Sequence, residues 1–176
     1  MKKETYLALT NSLRQRPALA RIITRINTII TYSIYCAYPC LLVWLFLQTA
    51  FTAPFEEWLH SAFVAALIVP LVSFVLLSLL RSQINAPRPY EVFNVEPVIP
   101  KDTRGNSFPS RHVFSIFVIG TTSLAVTPTP ALGTIILVMG VLLAVVRVWS
   151  GVHFPRDVIA GALLGIVAGS ITFALL

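Results

Sequence analysis

The apolar positions of this chain fall into long runs with few or no charges, separated by polar breaks. Residues 29–51, 62–80, 110–126, 131–146 and 158–176 each read as a membrane-crossing helix. Pro39 and Pro70 lie inside the first two runs, and Pro39 is expected to kink its helix. The short stretch 52–61, with Glu56, Glu57, Trp58 and His60, reads as a loop, and Thr127-Pro128-Thr129-Pro130 as a tight turn. Ahead of the first run, residues 1–25 interleave Lys2, Lys3, Arg14, Arg16, Arg21 and Arg25 with leucines and isoleucines. That pattern predicts a basic amphipathic segment lying on the membrane surface, its first few residues ordered or not. The expected architecture is therefore all-α. It is an integral membrane bundle of five transmembrane helices over residues 26–176, preceded by a surface segment over 1–25.

Composition agrees with this reading. Of 176 residues 56% are hydrophobic and only 11% charged, which excludes an ordinary soluble domain. At this length one domain is expected. Thirteen lysines and arginines face seven acidic residues, for a net charge of +6. Because the basic residues lie outside the apolar runs, the expected partners are the bilayer, anionic headgroups and phosphate-bearing substrates, and no nucleic acid. Cys36 and Cys40, one turn apart inside an apolar run, read as packing residues. The first apolar run starts too late and is too long for a cleavable signal peptide.

Residues 81–108 form a long polar stretch holding Pro87, Pro89, Pro97 and Pro100, and a loop of that length is usually functional or disordered. Counting spans places 81–89, 109–112 and 147–157 on one face of the membrane. In the last of these, Gly151 and Pro155 interrupt the apolar pattern, and Pro155 suits the first turn of a new helix. Asp157 falls in that turn, where the helix dipole favours a carboxylate. It lies four residues after His153, close enough to orient the imidazole. Gly161, Gly165 and Gly169 continue the same helix face and predict close approach to a neighbour, with Asp157 pointing inward. Arg81, Arg88 and Arg147 offer planar guanidinium forks suited to phosphate oxygens. Pro89 keeps Arg88 extended. The Ser110 hydroxyl and the Arg111 backbone N–H stand at a helix N-terminus, a ready anion site, with His112 in its first turn. Each feature taken singly also reads as a headgroup anchor.

Together the three stretches resemble the type 2 phosphatidic acid phosphatase family. Its pattern is Lys, six residues, Arg-Pro; then Pro-Ser-Gly-His; then Ser-Arg, five residues, His, three residues, Asp. Here these read Arg81 to Arg88-Pro89, then Pro109-Ser110-Arg111-His112, then Val146-Arg147 to His153 to Asp157. The resemblance covers roughly residues 20–176. Arg81 stands where the family has lysine, Arg111 where it has glycine, and Val146 where it has serine. Arg111 would place a long cation within the phosphate loop, reaching a second phosphate or a headgroup, or facing away among lipid headgroups. Family members often have six spans, and this chain is expected to lack the first.

The resemblance implies a lipid phosphatase in which His153 attacks phosphorus, Asp157 orients the ring and His112 protonates the leaving oxygen. Arg81, Arg88, Ser110, Arg111 and Arg147 would bind the phosphoryl group. It implies no metal and no cofactor, and two histidines without a nearby cysteine make a poor zinc site. Phosphatidic acid, phosphatidylglycerol phosphate and an isoprenyl diphosphate such as undecaprenyl diphosphate remain open as substrates. A phosphotransferase using the same intermediate is the near alternative, and a non-catalytic transport or assembly protein the distant one. Transport favours polar groups at mid-span, whereas here they gather at one end. The expected location is a bacterial cytoplasmic membrane. Members with six spans generally face the extracytoplasmic side. The lysines and arginines here all fall on the side of the site, and the positive-inside rule puts that side in the cytoplasm.

Overall fold

The computed structural model describes residues 2–99, 101 and 103–176. Pro100 of the long polar stretch lies outside the described residues. The elements are α1 (Lys3–Arg14), α2 (Pro17–Thr52), a 3₁₀ turn (Phe55–His60), α3 (Ala62–Ile84), α4 (Pro89–Phe93), α5 (Arg111–Val126), α6 (Ala131–Trp149) and α7 (Pro155–Leu175). Four helices, α2, α3, α6 and α7, are long and apolar enough to cross a membrane, and α5 is a shorter apolar helix. The protein is an all-α integral membrane bundle, with α2, α3, α5, α6 and α7 in the five expected places. Helices α2 and α3 continue through Pro39 and Pro70.

The boundary expected at residue 25 falls inside α2. Pro17 is the first residue of that helix, and Arg16 before it is non-helical, so the break comes at 15–16 instead. With 36 residues, α2 is about 54 Å long against a hydrocarbon core of about 30 Å. It is thus longer than a hydrocarbon core requires, and Arg21 and Arg25 are exposed on its first turns. Helix α1 is amphipathic as expected, but its apolar face meets protein. Tyr6, Thr10 and Leu13 are buried, and Leu13 clusters with Ile23 of α2 and Val146 of α6. Cys36 and Cys40 are both exposed on α2 and so do not pack in the core.

Helix α5 is the centre of the bundle. It buries Val113, Phe114, Ile116, Phe117 and Val118, residues too closely spaced for one helix face, as befits a helix covered on nearly every side. Ile30 and Ile34 of α2, Ile136 and Leu143 of α6 and Val158 of α7 complete the main cluster. The glycine stripe lets α7 lie directly on α5. A Cβ at Gly161 would meet the Ser110 carbonyl at 2.7 Å, and one at Gly165 the Phe114 carbonyl at 2.7 Å. At Gly169 it would meet Thr121 Cβ at 2.6 Å. The obstacles include backbone, so no rotamer change relieves them.

Gly165→Ala is therefore expected to push α7 off α5 at a cost of about 1–3 kcal/mol. Thermal unfolding in detergent followed by circular dichroism checks this. Val167→Ala, on the exposed side of the same helix, should leave the midpoint nearly unchanged.

Candidate active site

The polar end of the bundle is built around the turn between α6 and α7. Gly151 has φ +74°, a left-handed conformation that a side chain would strain. That reversal sends the N–H groups of Val152 and His153 back to the Arg147 carbonyl, at 3.1 and 3.2 Å. Pro155 opens α7, and Asp157 in its first turn accepts the Phe154 N–H through Oδ2 at 3.0 Å. The Asp157 carbonyl accepts the Ser110 N–H at 2.8 Å, which ties the start of α5 to the start of α7.

His153 is 2% exposed and Asp157 0%. Their nearest atoms, Nδ1 and Oδ2, are 3.6 Å apart. Ser107 sits against both: its hydroxyl donates to Asp157 Oδ2 at 2.5 Å and lies 3.4 Å from His153 Nδ1. With Nδ1 facing this pair, Nε2 is the nitrogen left for chemistry. Burial pushes the His153 imidazole down to about 4, helped by the charges of Arg88 and Arg147 and opposed by Asp157. At neutral pH the ring is therefore uncharged and keeps its lone pair.

Around it lie donors without partners. Ser110 Oγ, Arg88 Nη1 and Arg147 Nε are all buried and unbonded. Buried polar atoms are ordinarily paired, so three orphaned donors at one site point to an absent anionic acceptor. Arg88 is extended, as Pro89 requires, and its Nε donates to the Gly105 carbonyl at 3.0 Å. Burial lowers its pKa. Arg81 is buried differently. Its two terminal nitrogens donate to the carbonyls of Pro109 and Asn106, so it clamps the loop leading into α5. Arg111 is exposed, with its guanidinium 5.6 Å from the centre of the Phe74 ring. His112 is half-buried and opens onto a cavity of about 190 Å³ lined by Ile30, Ile34, Tyr35, Phe74 and Leu143. The structure thus gathers His153, Asp157, Ser110, Arg88 and Arg147, sets Arg81 behind the loop, and puts His112 and Arg111 beside an apolar opening.

Several residues at this end escaped the sequence reading. Ser107 lies in the loop just ahead of Pro109 and carries no motif signal of its own. Glu91 accepts the N–H of Arg88 at 2.8 Å and that of Gly105 at 2.9 Å, pinning the two arms of the polar loop together. Its position three residues after Arg88 is the capping-box spacing. Lys101 is half-buried, and burial with the charges of Arg147, Arg88, Arg111 and Arg81 brings its amine down to about 8. Tyr6 of α1 reaches the Gly151 carbonyl at 3.4 Å and its ring lies 5.0 Å from that of Phe93, so α1 braces the turn between α6 and α7. No periodicity in residues 1–25 signals that contact.

Ser107→Ala should lower kcat by about ten- to a hundredfold with a smaller change in KM. A hydrogen bond to a charged group is worth about 1.5–3 kcal/mol, and each 1.4 kcal/mol is tenfold in rate. Steady-state phosphate release beside a thermal melt checks that the loss is not unfolding.

A family model described as the PAP2 superfamily matches residues 58–176. The bacitracin transport permease protein BcrC of Bacillus licheniformis is 43% identical over 68 residues, 39% of this chain and 32% of that protein. The match therefore spans about a third of that relative's length. Among solved structures, LpxE of Aquifex aeolicus superposes with TM-score 0.70 and 27% identity, covering 97% of this chain and 93% of that one. The first transmembrane PAP2-type phosphatidylglycerolphosphate phosphatase from Bacillus subtilis superposes with TM-score 0.66 and 23% identity, covering 96% and 83%. The latter likeness is one of fold. With its family model matched from the 3₁₀ turn to the end of α7, the chain belongs to the PAP2 superfamily.

Proposed function

We propose that the chain is a membrane lipid phosphatase working through a phosphohistidine on His153. The observation that carries this reading is the set of buried, unpartnered donors beside a neutral histidine whose Nδ1 faces a buried carboxylate. His153 Nε2 attacks phosphorus while the bond to the leaving oxygen breaks, and His112 gives that oxygen its proton. Ser110, Arg88 and Arg147 bind the equatorial oxygens, where charge gathers in the transition state. Arg81 acts by fixing the loop that carries Ser110. His112 then takes a proton from water, water attacks phosphorus, the P–N bond breaks and inorganic phosphate leaves. The positive charge comes from guanidinium groups, so the reaction is proposed to need no metal and to survive EDTA.

The substrate is proposed to be a lipid phosphate whose tail enters the apolar opening beside His112. Phosphatidic acid, phosphatidylglycerol phosphate and an isoprenyl diphosphate all fit that description. The charged groups sit at one end of the bundle, which supports headgroup chemistry over a transport path. His153→Ala should abolish phosphate release from a panel of lipid phosphates, and His153→Gln, which keeps a polar group beside Asp157, should do the same with a folded thermal transition. Wild-type protein quenched during turnover should carry an acid-labile, base-stable phosphoryl group that both variants lack. Phosphate passed to another acceptor instead of water would identify a phosphotransferase.

The site is proposed to face the cytoplasm. Lys2, Lys3, Arg14, Arg16, Arg21 and Arg25 all lie at the site end, while the opposite turns hold Glu56 and Glu57. In a background without Cys36 and Cys40, Thr129→Cys should react with an impermeant maleimide in intact cells and Thr103→Cys should not. The reverse labelling would place the site outside.

A further inference from the structure

We infer that Arg111 forms a second phosphate subsite on the leaving-group side of the reacting phosphorus, and that the lipid substrate is accordingly a diphosphate. This rests on the phosphatase reading above and narrows it. Arg111 lines two cavities at once. One is the apolar opening it shares with His112 and Phe74. The other, of about 220 Å³, is lined by Arg81, Arg88 and Arg104 together with Ser82 and Asn106. It therefore stands where an apolar tail would give way to anionic groups.

Nothing in the fold asks for a cation at this position. Arg111 is the first residue of α5, where positive charge opposes the helix dipole. Arg81 and Arg88 lie close by, and among the described residues no acidic group pairs with Arg111. The contact it makes is with the face of Phe74, on a side chain that remains exposed. A guanidinium held against the local field, on an aromatic face and with no acidic partner among the described residues, is placed for a ligand that brings its own negative charge.

The order of groups along the substrate decides which charge that is. With the reacting phosphoryl at His153, the leaving oxygen faces His112, and whatever that oxygen joins lies next to Arg111 before the tail reaches the apolar opening. In a monophosphate of a simple lipid alcohol such as a polyprenol this place holds carbon, and the cation meets no anion directly beside the leaving oxygen. In a diphosphate it holds the inner phosphoryl group. Its charge rises as the bridging P–O bond breaks, and a guanidinium fork can meet two of its oxygens. The step balances without another reactant. His153 takes the outer phosphoryl, the lipid leaves as its monophosphate with the proton from His112, and water then releases inorganic phosphate.

The test compares farnesyl diphosphate with farnesyl phosphate, the same tail carrying two phosphates or one, on purified protein in detergent. In Arg111→Gly the ratio of kcat/KM for diphosphate over monophosphate should fall by at least about tenfold, and Arg111→Lys should restore part of it. A ratio that does not move in Arg111→Gly overturns the subsite, whether both activities fall together or neither does. Matching thermal midpoints of the variants exclude misfolding as the cause. The parent reading has its own marker. If release from either lipid is lost in His153→Ala, the phosphatase stands whatever the ratio does. If wild-type protein releases phosphate from neither lipid, both readings fall.

Discussion

A carboxylate with no solvent exposure sets the terms for the whole polar end of this molecule. Leaving a buried charge unpaired costs several kcal/mol, so Asp157 must be surrounded by donors. The donors come from separate parts of the chain: the Ser107 hydroxyl from the long loop, the Phe154 N–H from the turn, and the His153 ring from the same turn. The Asp157 main chain also takes the N–H of Ser110 at the head of α5. Meeting one carboxylate oxygen, Oδ2, thus draws three polar stretches together, while Oδ1 faces Arg156 Nε at 3.6 Å. That gathering is possible only because α7 presents Gly161 where α5 passes, with no side chain between them.

The arginines divide into two kinds of work once the loop is in place. Arg81 is spent on backbone carbonyls and holds shape. Arg88 and Arg147 keep nitrogens that the protein does not satisfy. Donors that the chain itself leaves open in this way suit a negatively charged group. The oxygens of such a group need not wait for the protein to reorganise, which is the usual advantage of a preset electrostatic site.

Much of this was legible in the sequence. Long uncharged runs can do little except span, so the helices declared themselves. The motif spacing placed His112 and Asp157 in the first turns of helices with His153 in the turn ahead of the second, and the glycine stripe announced a close helix neighbour, which is α5. The less legible parts depend on contacts distant along the chain. Ser107 looks like any loop serine until α7 brings Asp157 against it. Arg81 reads as a phosphate ligand by motif position, and only the path of the loop turns its nitrogens toward carbonyls. Cys36 and Cys40 carry no mark of which face of α2 they occupy, because in a membrane both faces are apolar. The α2 boundary was missed because charged residues were taken to end a helix, whereas a helix long enough to leave the hydrocarbon carries its charges into the headgroups.

The docking of α1 ties the catalytic turn to the chemistry of the surrounding membrane. One face of α1 is buried, with Tyr6 against Gly151 and Ser12 accepting the Trp149 indole N–H at 3.0 Å. Lys2 and Lys3 are exposed at its start and Arg14 at its end, Arg14 also donating to the Glu96 carbonyl. Anionic lipids attract such residues by about 1 kcal/mol per basic side chain near the surface. A single rigid element that feels both forces couples them, and coupling free energies are reciprocal. Whatever the bilayer contributes to seating α1 it contributes also to seating the turn that carries His153, so the surface charge of the host membrane becomes one of the quantities that set the order of the active site.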